Sequence, residues 1–171
     1  TSMAKVYGAI TILDMCQTAG LLDTDLSGTN IDFAVFAGHK TLYSPIGVAG
    51  VISNFDIKPA PLIYGGTGVE SASQLLPETL PERYEVGSPN IAAIAGLNAS
   101  LKWIQQKGIS EIYRKEQANR NKLISVLNGF SNIHVINTSE TESIGVVSCV
   151  FDGYSSDNIG QILSEQNVAV R

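Results

Sequence analysis

The sequence predicts an α/β fold, and three observations point there. Short apolar runs of strand length recur in the first half, at residues 9–13 (AITIL), 31–36 (IDFAVF) and 47–52 (GVAGVI), separated by turn-rich and glycine-rich stretches. Two helix-length segments with apolar residues at three- and four-residue spacing follow, at 91–107 and from Ser110 to Gly129. Short strand-like runs then resume. Hydrophobic residues make up 44% of the 171 and charged residues 16%. That balance supports a buried core and excludes a disordered chain, which is poor in apolar residues and highly charged.

Residues 1–8 read as the end of a helix, with Gly8 as its terminator. The β-branched run 9–13 reads as a buried parallel strand ending at Asp14. After turn residues 23–30 comes the strand 31–36, with Gly38-His39-Lys40 at its C-terminal end. The run 47–52 follows the Ser44-Pro45 turn and is expected to return antiparallel. Residues 64–71 (YGGTGVES) form a glycine-rich loop, and 75–90 carry three prolines without periodicity. The helix over 91–107 is stopped by Gly108, and that opened by Ser110 and Glu111 is stopped by Gly129. Strands are expected at 133–136 and 145–151, a helix capped by Ser155 or Ser156 through Leu163, and one more strand at 168–170. The pattern changes near Asn90, from short strands alternating with glycine-rich loops to a helix pair followed by mixed α+β, dividing the chain into 1–90 and 91–171. Both ends fall inside predicted elements, which points to a piece of a longer chain.

The net charge of −5 makes nucleic acid a poor partner, since an acidic surface repels phosphate. No apolar run is long enough for a membrane span, and no basic-then-apolar leader precedes the first strand. Cys16 and Cys149 have no metal-ligand spacing and lie in apolar surroundings, so no metal site is assigned and both read as buried, reduced thiols of a cytoplasmic protein. His134 and Trp103 read as packing residues, and Arg114, Lys115, Glu116, Arg120 and Lys122 as a solvated helix face.

Asp14 and Lys40 each follow a predicted strand, at the edge where open α/β sheets place ligands, and Gln17 comes three residues after Asp14. Pyridoxal phosphate (PLP) chemistry needs these types: an amine to hold the cofactor as a Schiff base, a carboxylate to keep its ring nitrogen protonated, and a donor for its phenolic oxygen. By residue type alone, Asp14 could equally cap a turn and Lys40 be a surface lysine.

The ordered motifs Asp14-Met15-Cys16-Gln17-Thr18-Ala19-Gly20, Ile31-Asp32-Phe33, Gly38-His39-Lys40 and Ser44-Pro45-Ile46-Gly47 resemble the class V aminotransferase family, in its cysteine desulfurase and selenocysteine lyase branch. Tyr64-Gly65-Gly66-Thr67-Gly68 resembles that family's Gly-Gly-Thr loop, and residues 83–90 (RYEVGSPN) its Arg-Tyr-Glu-x-Gly-Thr-x-Asn segment. The resemblance implies the fold of a type I PLP-dependent transferase, a three-layer αβα large domain with a smaller α+β C-terminal domain. Residues 1–90 would be the later part of the large domain and 91–171 an incomplete small one. It also implies roles. Asp14 would pair with the pyridinium nitrogen, Gln17 with the phenolic oxygen and His39 with the phosphate, while Lys40 would be the catalytic lysine and Thr67 would reach a neighbouring subunit's cofactor. The implied substrate is L-cysteine or L-selenocysteine, the implied assembly a homodimer with shared sites, and a sulfur-acceptor protein a further partner. Other class V reactions (transamination, lyase, epimerase) or a non-catalytic fragment remain open at this point.

Two departures stand out. The family's phosphate-binding serine is Ala37 here, the loss of one hydrogen bond worth about 1–3 kcal/mol. The family's ring-stacking histidine and its Gly-x-x-Cys nucleophile are not among these residues.

Overall fold

The computed structural model describes residues 1–53, 58–70, 72–136 and 143–171. They form two compact units, Thr1–Lys107 and Gly108–Arg171.

The first unit contains a short helix α1 (Ser2–Val6), strands β1 (Ile12–Asp14), β2 (Phe33–Ala37) and β3 (Ala49–Ser53), and a long helix α2 (Ile91–Lys107). The sheet order is β1-β2-β3. β1 runs parallel to β2, with Ile12 opposite Phe33 and Asp14 opposite Val35. β3 returns antiparallel, with Ala37 opposite Ala49 and Phe33 opposite Ser53. The connection from β2 to β3 is too short for a parallel crossover, so the chain can only reverse.

One carboxylate holds the start of this sheet. Asp32 pairs with the Lys5 ammonium of α1 and accepts from the Thr11 N–H at 2.8 Å and the Thr11 hydroxyl at 2.9 Å. Lys5 first, then the Thr11 N–H and hydroxyl, hold the Asp32 carboxyl down at about 2. The expected strand at 9–13 is thereby displaced to Ile12–Asp14, because Thr11 is spent on this clamp. Nor is it buried: Ile12 lies at the sheet edge, 67% exposed.

The core comprises Met15, Leu21, Ala34 and Leu42, together with Ala93 and Ile104 of α2. This compact unit runs past Asn90, where the element pattern changes, and takes in the whole of α2. Asn90 starts that helix, its side-chain oxygen accepting from the Ala93 N–H at 3.1 Å. Trp103, expected in the helix core, is 45% exposed and meets Tyr43 edge-on.

The second unit contains α3 (Ile109–Leu127), the antiparallel strands β4 (Ile133–Ile136) and β5 (Ser148–Phe151), and α4 (Ser156–Glu165). Ile112 is buried on α3. Ser155 caps α4, its hydroxyl accepting from the Asn158 N–H at 3.3 Å. The strand expected over 145–151 begins only at Ser148, because the Gly145 N–H is taken by the Glu116 carboxylate at 2.7 Å. Gln117 of the same helix holds the Ser143 carbonyl. Glu116 is thus a half-buried anchor and Arg120 is also half-buried, whereas Arg114, Lys115 and Lys122 are the solvated residues of that face. His134 is an exposed partner of Asp152 across the β4–β5 pair, at 2.9 Å, rather than a packing residue. Residues 168–170 form no strand, since nothing among the described residues offers them a ladder. The Val168 N–H instead closes the end of α4 on the Leu163 carbonyl at 2.9 Å.

Candidate functional site

Asp14 is the last residue of β1, and the parallel ladder continues one residue further, with the Met15 N–H on the Val35 carbonyl at 2.8 Å. The chain then coils into a single turn, the Thr18 and Ala19 N–H groups both donating to the Met15 carbonyl. Gln17 sits exposed on that turn and Met15 is buried beneath it. The Asp14 carboxylate is oriented by its own backbone: Oδ1 accepts from the Cys16 N–H at 2.8 Å. Such an Asx turn is legible in the Asp14-Met15-Cys16 spacing, as it is in Asp25-Leu26-Ser27. The Cys16 thiol, then its N–H, and with them the nearby Lys40 charge, hold the Asp14 carboxyl below its ordinary range. It is an anion at neutral pH.

Lys40 stands beyond the end of β2, the strand next to β1. Two backbone bonds shape its turn: the Tyr43 N–H on the Lys40 carbonyl at 3.0 Å, and the Ser44 N–H on the Gly38 carbonyl at 2.9 Å. His39 and Lys40 are both exposed on it. Among the described residues, the Lys40 amine makes no hydrogen bond or ion pair; its recorded interactions are the electrostatic ones with Asp14 and Cys16. The parallel strands therefore bring Asp14, Gln17, His39 and Lys40 to one carboxyl edge. Ala37, the last residue of β2, offers no hydroxyl there. Thr41, the residue after the lysine, has its hydroxyl buried and without a hydrogen-bond partner among the described residues.

Thr67 lies elsewhere in the same unit. Its hydroxyl is engaged within its own loop, accepting from the Val69 N–H at 3.4 Å, and no hydrogen bond among the described residues joins it to the other four. Residues of the segment 64–77 line a cavity of about 310 Å³. The second motif holds this loop in place. The Gly87 N–H donates to the Gly66 carbonyl at 2.7 Å, the Tyr84 hydroxyl to the Pro59 carbonyl at 2.8 Å, and Arg83 pairs with Glu78 at 2.7 Å. The separation of these two motifs in sequence conceals that they form one structure.

Cys16 and Cys149 are half-buried and unbridged, not fully buried as expected. The Asp14 carboxylate first, with burial adding to it, pushes the Cys16 thiol up, so it stays protonated.

An unpaired amine and an oriented carboxylate at the carboxyl ends of parallel strands suit a cofactor with a carbonyl carbon and a cationic ring. The fold is that of the type I PLP-dependent enzymes. A cysteine desulfurase from Thermococcus onnurineus NA1, solved in its apo form, superposes with a TM-score of 0.82 at 26% identity, over 99% of this chain and 44% of its own. A C-DES mutant with glycine covalently linked to its PLP cofactor superposes with a TM-score of 0.72 at 29% identity, over 91% of this chain and 42% of its own. Among curated relatives, the probable cysteine desulfurase 2 of Mycobacterium leprae is 31% identical over 98% of this chain and 41% of its own length. The family model described as Aminotransferase class-V matches residues 1–171. The chain belongs to that family, and spans between about a quarter and about two fifths of the length of the curated relatives it matches.

Proposed function

We propose that this chain is the lysine-bearing part of a PLP-dependent cysteine desulfurase. The observation that carries the reading is the Lys40 amine, without a hydrogen-bond or ion-pair partner among the described residues, at the same strand edge as the ionised Asp14. The names of the relatives, cysteine desulfurases from a bacterium and an archaeon, support the reaction class.

When bound, PLP supplies a ring that accepts electrons from a substrate carbanion. The other roles belong to the chain. Lys40 would provide the amine that holds the cofactor, and the same amine would move protons at the substrate carbons. Asp14, kept charged by the Cys16 groups and by Lys40, holds a proton on the ring nitrogen. Gln17 donates to the phenolic oxygen and His39 to the phosphate. Ala37 contributes nothing to that phosphate. Thr67, in the glycine-rich loop, serves the cofactor of a second subunit in a homodimer with shared sites. The substrate is L-cysteine or L-selenocysteine, cleaved to alanine in the cytoplasm, with the released sulfur or selenium passed to an acceptor protein. Neither Cys16, held protonated, nor Cys149, half-buried in β5, is assigned the sulfur-accepting role.

Incubation with PLP and then borohydride tests the cofactor reading, because reduction traps even weak adducts. The phosphopyridoxyl mass is expected on the peptide containing Lys40 and should be absent from Lys40→Ala. Labelling that persists in Lys40→Ala, spread over the remaining lysines, would refute the assignment.

A further inference from the structure

The loop 38–48, which carries the lysine, is seated on one face of α2. Four contacts make the seat. The buried Ser44 hydroxyl, whose nearer acceptor is the Pro45 carbonyl at 3.0 Å, also lies 3.4 Å from the Ala93 carbonyl. The Pro45 ring lies so close to Gly96 that a Cβ there would fall 2.6 Å from Pro45 Cγ. The Tyr43 ring meets Trp103 edge-on, with centroids 5.3 Å apart and planes at 78°. Leu42, like Ile104, closes over Gly20. At about 100° per residue, positions 93, 96, 103 and 104 share one side of the helix.

The second observation is backbone conformation. Tyr43 sits at φ 55, in the left-handed region that L side chains avoid, and its N–H closes the turn on the Lys40 carbonyl. Among the described residues the Tyr43 side chain makes no hydrogen bond, and its ring packs edge-on against Trp103. The turn relaxes if that ring is released, and the lysine carbonyl moves with it.

We infer that Trp103 and Gly96 of α2 are positioning residues for Lys40: they hold the turn that aims its amine, without touching the site themselves. This deepens the proposed function and rests on it for the role of Lys40, but not for the mechanics of the turn. It also gives a reason for the glycine at 96, where any side chain would meet the proline ring.

The experiment compares Trp103→Ala, Trp103→Phe and Gly96→Ala with Asp32→Asn, which loosens the opposite end of the β1–β2 pair. Amide hydrogen exchange is read at Tyr43 and Ser44 and along β2, and the pH dependence of borohydride trapping is read at Lys40. Trp103→Ala is expected to speed exchange at Tyr43 and Ser44 by about tenfold with β2 unchanged. It should also slow trapping at Lys40 and shift its pH midpoint. Trp103→Phe should restore both, and Gly96→Ala should move the same two amides. Asp32→Asn should instead speed exchange at Phe33 and leave Tyr43 alone. The inference is overturned if Trp103→Ala and Gly96→Ala leave Tyr43 and Ser44 as protected as before, or loosen β2 equally, which is the signature of ordinary core packing. If the wild-type chain is not trapped at Lys40 at all, the proposed function falls, while the exchange data still decide the positioning.

Discussion

Replacing Gly20 by alanine separates two costs that usually arrive together. Gly20 and Gly28 share the same backbone conformation, at φ +76 and +73, but not the same surroundings. A Cβ at Gly28 meets nothing within 4 Å, whereas at Gly20 it meets Leu42 Cδ2 at 2.7 Å, Ile104 Cδ1 at 3.2 Å and the Thr41 carbonyl at 3.3 Å. The left-handed conformation costs an alanine about 1–2 kcal/mol. The reduced freedom of the unfolded chain returns about 0.4–1 kcal/mol. Gly28→Ala should therefore cost about 1 kcal/mol or less. Leu42 is only 6% exposed, so its methyl has no empty space to swing into, and Gly20→Ala adds an overpacking term of about 1–3 kcal/mol. Trp103, the one tryptophan, belongs to the same unit, and its fluorescence in urea reports on that unit. With a slope of about 1–3 kcal/mol per molar urea, the two variants should differ in midpoint by about 1 M, Gly20→Ala being the weaker. Equal midpoints would refute the packing of the Lys40 turn against α2.

The Asp32 clamp makes an acid-side prediction. Its carboxyl lies at about 2 when folded against an ordinary 3.8, so its stabilisation is whole above the ordinary value and is lost as pH falls toward 2. Wild-type urea midpoints should drop more steeply than those of Asp32→Asn across that window, and parallel curves would contradict the clamp. Thr41→Val removes a buried hydroxyl that has no partner among the described residues and should raise stability by about 1 kcal/mol; a loss of that size would mean the hydroxyl is used. Ser155→Ala should cost the second unit about 1 kcal/mol and deprotect the Asn158 amide, leaving Trp103 fluorescence transitions unmoved.

The long elements were legible because their signals are local. The spacing of apolar residues and the glycine at 108 suffice to place α2 at 91–107, and a serine followed by Asp157 places the start of α4. The reversal of β3 was readable from the short Ser44-Pro45 connection. The strand at 168–170 was not, because three alternating apolar residues state a preference for a ladder and say nothing about a partner for it. The same limit applies to the clamp: Asp32 looks like part of a strand motif, and only the fold shows it gathering Lys5 and Thr11. At the site, residue type and placement after predicted strands pointed to Asp14, Gln17 and Lys40 but left turn-capping and surface readings open, and His39 came only with the family resemblance, because one exposed histidine carries no local signal. What remained hidden was support from a distance, as in the seating of the lysine turn on Trp103 and Gly96.

The order β1-β2-β3 leaves the outer side of Ala49–Ser53 without a neighbour among the described residues. That strand, AGVIS, has neither charge nor proline, and its Val51 and Ile52 are 58% and 50% exposed. Such an edge templates strand addition from another molecule. Kept at high concentration as this chain alone, the protein should therefore self-associate through β3 and aggregate, and a lysine at Val51 should keep it dispersed.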